Sequence, residues 1–207
     1  MIEDTLEFKA QARALAEAGR LWAARGWTPT RVGHFSARLN EQQILITAPG
    51  LDKGRLDDNG FMVVDLDGHV LSAHQEPAAE TFLHIVMYRR NPEIGAVLHT
   101  HSAHATALSR AFPQELVLEG YEALKTLPSA GTEPSTATLP VFQNTADTRR
   151  LATQVDACMD RNPELAGYLI AGHGLYAWGA SVEAAMRYAE TFEFLFECEL
   201  LSRSLNR

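Results

Sequence analysis

The chain has 207 residues, 46% of them hydrophobic and 21% charged, with a formal net charge of −8. That length favours one domain over residues 1–207 with one substantial core, and the composition is that of a soluble globular protein. The acidity argues against a nucleic-acid backbone or an anionic membrane as the main partner.

Met1-Ile2-Glu3-Asp4 carries acid where a secretory leader carries Lys or Arg. No apolar run approaches the ~20 residues of a transmembrane helix. Cys158 and Cys198 are too few for a disulfide framework or a thiolate zinc site, and they fit a reducing compartment. A cytoplasmic protein with no membrane partner is expected.

In chain order, Thr5 to Arg25 predicts a helix rich in Ala, Leu, Arg and Glu, stopped by Gly26. Short strands are expected at Phe35 to Leu39, Ile44 to Thr47 and Met62 to Leu66. Asp67-Gly68 is a hairpin turn signal, with Val70-Leu71 beginning a return strand. A helix starts near Pro77 and runs to Arg90, and Gly95 to His99 reads as a buried strand. Ser102 caps a short helix over Ala103 to Ala111. Leu139 to Phe142 is a further strand, which Pro140 confines to an edge or a strand start. Thr145 caps a helix to about Asp160.

Tyr168 to Ala171 and Leu175 to Trp178 read as paired strands joined across Gly172-His173-Gly174. Ser181 opens a last helix that is apolar nearly all round at "FEFLFECELL", so it must be buried in its own subunit or against another chain. Helices mixed with hairpin signals predict an α/β layered fold around a mixed, largely antiparallel sheet.

Three of the eight histidines lie within "HTHSAH", at the end of a predicted strand. Residues i and i+2 of a strand face the same way, so His99 and His101 project together as half of a divalent metal site. H-x-H alone is a common pair, and surface or hydrogen-bonded histidines are the ordinary alternative. A third ligand must come from elsewhere. His104 is near, but a helix beginning at Ser102 turns it away. His173 is the better candidate, because two flanking glycines allow a tight turn that pushes a side chain into a cleft. His34, His69, His74 and His84 look like surface or helix residues.

Two other homes of such motifs fit less well. The metallo-β-lactamase-type signature H-x-H-x-D-H needs a carboxylate where Ala103 stands, and cupins are disfavoured by at least four helical segments.

Taken together, Pro77-Ala78-Ala79-Glu80, His99-Thr100-His101 and Gly172-His173-Gly174 resemble the class II aldolase/adducin family. "GWTPT", "FSARL", "DKGRL", "IGAVLHTHS", "LVLEGYEALK", "GYLIAGHGLYAWG" and "FEFLFECEL" narrow the resemblance to a dehydratase branch that serves methionine salvage. It covers essentially the whole chain. It implies a three-layer α/β/α subunit, often in a homotetramer, with one Zn2+ per subunit on His99, His101 and His173. It also implies Glu122 as the acid/base of the dehydratases, and Glu80 as the acidic residue that the aldolase branch uses near its metal. Tyr121 and Lys125, beside Glu122, orient groups or sit at the surface.

The implied substrate is a ketose 1-phosphate with a C2 ketone and hydroxyls on C3 and C4. Loss of water needs removal of the C3 proton, which a Lewis-acidic metal makes feasible, and a proton donor for the departing C4 hydroxyl. An aldolase would take the proton from the C4 hydroxyl instead. A non-catalytic, adducin-like module is the remaining class.

Three segments depart from the family's phosphate-binding pattern. Arg31-Val32-Gly33-His34 replaces a hydroxyl- and amide-bearing run, Pro49-Gly50 replaces Ser-Gly or Thr-Gly, and Pro77-Ala78 replaces Pro-Ser. Either Arg31, His34 and Lys53, with Gly50, bind phosphate through charged donors, or the head group differs. A third option is that these are loop and packing residues, with the phosphate held elsewhere.

Overall fold

The computed structural model describes residues 5–72, 76–128 and 136–205. Helix α1 spans Leu6–Ala24, and Thr5 caps it by accepting the Phe8 N–H through its hydroxyl at 3.2 Å. Strands β1 (His34–Arg38), β2 (Gln43–Thr47) and β3 (Phe61–Asp65) follow. Next come α2 (Thr81–Arg90), β4 (Ala96–Thr100), α3 (Ala103–Ala111) and β5 (Glu115–Leu118). The chain ends with β6 (Ala137–Phe142), α4 (Thr148–Arg161), β7 (Gly167–Ile170), β8 (Gly174–Gly179) and α5 (Val182–Leu205).

The strands form one sheet in the order β3-β2-β1-β4-β8-β7-β6-β5, antiparallel throughout except for β6 with β7. The two-residue period of each strand sorts its side chains between two cores. Phe35, Leu45, Val63, Leu98 and Ala177 join Phe8, Leu15, Trp22, Leu108 and Phe192, so α1, α3 and α5 cover one face. Ile44, Val64, Val97, Tyr168 and Tyr176 join Leu83, Met87, Leu151 and Val155, so α2 and α4 cover the other. Helices on both faces make the α/β/α sandwich that the resemblance implies, around the mixed, largely antiparallel sheet that the patterning predicts.

Four local expectations need correction. Helix α2 begins at Thr81 rather than near Pro77, because Ala78 to Glu80 form a separate turn in which Thr81 N–H donates to the Ala78 carbonyl. The cap of α4 is Asp147, whose carboxylate accepts from Arg150 N–H at 3.0 Å, while Thr145 only accepts from Asp147 N–H. Pro140 stands in an interior strand. Its missing N–H is tolerated because parallel pairing with β7 is confined to Val141 and Phe142, beyond the proline. Strand β5 has no counterpart among the expected strands. Helix α5 buries Phe192 and Phe196 within the subunit, whereas Phe194 is 54% exposed and Leu201 56%.

The Asp67-Gly68 turn forms, with Gly68 at φ 93, but Val70 makes only an isolated bridge to Val64. No helix among the described residues is long and apolar enough to cross a membrane.

Candidate metal centre

At the C-terminal end of β4, in the middle of the sheet, ligand atoms from Glu80, His99, His101 and His173 all lie within 4.8 Å of one another. Three different kinds of local structure converge there. His99 is the penultimate residue of β4, opposite Tyr176 of β8 and His34 of β1. His101 follows in the turn, its backbone N–H donating to Trp27 O at 2.8 Å. Glu80 is the N-terminal boundary residue of α2. His173 sits on the β7–β8 turn, where Gly172 takes φ 66 and donates its N–H to Ser109 Oγ at 3.0 Å. A Cβ on Gly174 would stand 1.8 Å from Thr100 O, so the approach of β8 to β4 needs glycine there. Thr106 Oγ donates to His173 O at 3.1 Å and fixes the turn from α3.

The imidazoles are prepared as ligands. His99 Nδ1 lies 2.9 Å from Leu175 O, which requires a proton on Nδ1 and leaves the Nε2 lone pair outward in the neutral ring. That Nε2 is 3.2 Å from His173 Nε2, which in turn is 2.9 Å from Glu80 Oε1. His101 Nε2 is buried with no hydrogen-bond partner. Nitrogens bound at zinc-like lengths in a tetrahedral site are ~3.3 Å apart, so the spacing and the orphaned nitrogen fit a divalent ion. The ring of His99 stacks on Tyr176 with centroids 3.9 Å apart, which fixes its orientation.

The electrostatics agree. Burial, followed by the charges of His101 and His173, holds His99 well below the ordinary imidazole range. Burial and His173 bring His101 down to about 4, so both rings are neutral at physiological pH. Burial alone would raise Glu80, but hydrogen bonds from His173 and His34 overcome it and keep the carboxyl well below the usual carboxylate range.

His34 is not a surface residue. It is buried, with Nε2 3.2 Å from Glu80 Oε2 and Nδ1 3.4 Å from Thr47 Oγ, because its pairing with His99 in the sheet puts it on the same face. His84 lies on α2 but is fully buried, with Nδ1 2.8 Å from Ser36 Oγ, and burial lowers it to about 3. His69 is at the surface, beside Asp65. His74 lies outside the described residues. His104 is part-buried on α3 and outside the four-residue cluster.

The other candidates are spread out. Lys53 is 1% exposed, and its ammonium donates to Arg31 O at 3.2 Å and Leu51 O at 2.9 Å. Burial lowers it to about 8. Arg31 is exposed with φ 69, and Gly50 is exposed with φ 73. Glu122 opens a 3-10 turn over Glu122–Thr126. Its side chain is 79% exposed, 2.9 Å from Lys125 Nζ, and outside the cluster. Tyr121 donates to Glu199 Oε1 of α5 at 2.9 Å.

One further candidate is not marked by any sequence motif. Glu193 of α5 is buried beneath β4, accepting hydrogen bonds from Thr100 and Ser102, and burial raises it to about 7. The signal was present in the strand period, which sends Thr100 and Ser102 to the face opposite His99 and His101.

Residues 13–200 match the Class II Aldolase and Adducin N-terminal domain. The chain is 47% identical over 202 residues to the methylthioribulose-1-phosphate dehydratase of Sorangium cellulosum, covering 96% of this chain and 95% of that protein. To the enzyme of the same name from Marinobacter nauticus it is 44% identical over 206 residues, covering 99% of each. Among solved structures, the L-fuculose-1-phosphate aldolase of Thermus thermophilus superposes with a TM-score of 0.76 at 25% identity, over 94% of this chain and 96% of that one. With the sugar-phosphate aldolase of Thermotoga maritima the TM-score is 0.71 at 18% identity, over 96% and 97% of the two chains. Family match, near-full-length relatives and fold agree: the chain belongs to the class II aldolase and adducin family.

Proposed function

We propose that this protein is a zinc-dependent hydro-lyase that removes water from 5-methylthioribulose 1-phosphate, giving the 2,3-diketo phosphate of methionine salvage. The observation that carries the proposal is the convergence of Glu80, His99, His101 and His173 in a chain whose near-full-length relatives bear that enzyme's name.

His99, His101 and His173 would hold one ion per subunit, and three neutral imidazoles leave its charge uncompensated. When bound, the ion supplies Lewis-acid polarisation of the C2 ketone, which acidifies the C3 proton. Glu80 is ionised and is the only carboxylate in the cluster, so it is the member suited to yield its place to substrate oxygens. Glu122 is the proton carrier. It takes the C3 proton, the C4–O bond breaks, and the same carboxyl returns the proton to the departing hydroxyl as water. The hydroxyl left on C3 makes the product an enol, which ketonises to the 2,3-diketone. Positioned proton transfer of this kind is typically worth ~10²–10⁴-fold.

Because Glu122 is exposed in the single chain, substrate binding or a neighbouring copy must bring it to the reacting carbons. A homo-oligomer, with a tetramer favoured, is part of the proposal, supported by the exposed Phe194 and Leu201 on α5. Arg31, His34, Gly50 and Lys53 would bind the phosphorylated end, and a cytoplasmic location goes with the metabolite.

A second reading keeps the metal and the lyase chemistry but changes the substrate. It is favoured by Lys53, whose ammonium already donates to two backbone carbonyls, and by Pro49, which has no N–H to offer a phosphate. Incubation of the zinc-loaded protein with 5-methylthioribulose 1-phosphate separates the cases. A diketone product supports dehydration, and an aldehyde with a three-carbon phosphate supports aldol cleavage. Neither product, from protein that retains its metal, supports the changed substrate.

A further inference from the structure

The strand end that carries His99 and leads into His101 has another side. From Leu98 the chain reads His99-Thr100-His101-Ser102, and its alternation sends the two hydroxyls away from the metal centre, toward α5. There Glu193, 1% exposed, accepts hydrogen bonds from Thr100 Oγ at 3.0 Å and Ser102 Oγ at 2.5 Å. Ser102 Oγ also accepts from Ala105 N–H at 3.0 Å and so caps α3. One carboxylate thus ties the last residue of β4, the turn after His101 and the start of α3 to the long C-terminal helix.

No Lys, Arg or His forms an ion pair with Glu193 among the described residues. Burying a carboxylate without a cation is costly, and an apolar side chain of similar volume would fill the same space at less cost. Packing alone therefore gives no account of an acid at this position. Its two contacts do, because they fall on the residues immediately before and after His101.

We propose that Glu193 is a positioning residue of the metal centre: by gripping Thr100 and Ser102 from the far side of the sheet, it fixes the backbone that aims His99 and His101 at one ion. The inference rests on the metal-binding reading and extends it to a residue that touches neither metal nor substrate. Groups that orient metal ligands from behind typically change metal affinity by ~10–100-fold when removed.

The shape of the contact predicts which variants matter. In Glu193→Gln, the amide keeps one acceptor oxygen, so one of the two hydroxyls must turn to accept from the amide NH2, and the grip through two acceptors is lost. In Thr100→Val, the strand keeps its shape but one hydroxyl is gone. Both should weaken metal binding and alter ligand geometry. Thr191→Val is the control, since Thr191 lies on the same helix and bonds Thr126 Oγ and Arg187 O rather than β4.

The test is zinc affinity of the full-length protein by competition with a chromophoric chelator, together with the visible absorption bands of the cobalt(II)-substituted form. Expected are a ~10–100-fold weaker affinity and shifted cobalt bands in Glu193→Gln, a change of the same kind in Thr100→Val, and neither in Thr191→Val, even if that control melts at a lower temperature. Should Glu193→Gln fail to fold, Thr100→Val decides alone. Wild-type affinity and wild-type bands in the folded Glu193 or Thr100 variants would overturn the positioning role while leaving the metal site standing. Equal weakening in Thr191→Val would also overturn it, by showing a general loss of stability. Wild-type protein that binds no zinc would remove the metal-binding reading itself.

Discussion

The end of β4 and the turn at Glu122 are both rich in candidate chemistry, yet they are built differently. At β4, three imidazoles and a carboxylate are buried or part-buried and held from behind by Leu175 O, Tyr176, Ser109 and Thr106. At the Glu122 turn, the carboxylate is exposed and meets only Lys125, three residues on. Metal ligands must be fixed before the ion arrives, because an unfixed set loses affinity to entropy. A proton carrier needs water at some point of its cycle, and exposure permits that exchange. On the proposed function, the difference separates the part of the site the subunit would complete alone from the part that substrate or assembly would complete.

The largest expected effect breaks the β4 side. His99→Ala removes a ligand and should cost ~10³-fold or more in kcat/KM, about 4 kcal/mol of barrier, with loss of bound metal by elemental analysis. The next effect probes the exposed side. Glu122→Gln should lower kcat by ~10²–10⁴-fold in a steady-state assay while the bound metal is unchanged. Full activity in that variant would transfer the proton role to Glu80.

A smaller effect tests the backbone beneath both. Gly174→Ala places a methyl 1.8 Å from Thr100 O, so β8 must retreat from β4. Urea unfolding should show ~1–3 kcal/mol lost, as for other forced overpacking.

Glu193 offers a pH test. Its pKa is about 7 in the fold against an ordinary 4.5, so the folded state holds a proton that the unfolded chain releases. The resulting stabilisation is full below pH 4.5 and is lost as pH rises through 7. In metal-free protein, wild type minus Glu193→Gln should therefore fall by up to about 3 kcal/mol between those pH values, because the histidines titrate in both and cancel. A flat difference would show that the fold does not raise Glu193 above its ordinary range. The least effect is expected from Lys125→Met. It breaks an exposed pair and should shift stability by less than ~0.5 kcal/mol, measured by thermal melting.

Much of this was legible in the chain. Apolar alternation placed β1, β2, β4, β7 and β8, and Ser102 and Gly172-His173-Gly174 marked the cap and turn that bring His101 and His173 together. Other parts were hidden for physical reasons. β5 is four residues whose exposed–buried alternation is masked in the sequence, because Leu116, Val117 and Leu118 are consecutive apolar residues although only the two leucines are buried. The turn at Ala78 to Glu80 reads as helix because its residues have helical propensity, whereas in the fold Glu80 meets His173 and His34 and the helix starts later. Glu193 is not marked by any motif, and His34 is expected only among the phosphate donors and not beside Glu80, because each acts through a residue far away in sequence. Strand register puts His34 opposite His99, and helix packing puts Glu193 under Thr100.

The central claim is that β4 and the β7–β8 turn hold a divalent ion before any substrate arrives, and metal content is its most direct measure. Protein purified without chelator should carry about one zinc per subunit, falling to near zero in His99→Ala. Less than about half an ion per subunit, in folded protein resupplied with zinc, would contradict the claim and leave the histidine cluster as a binding surface of another kind.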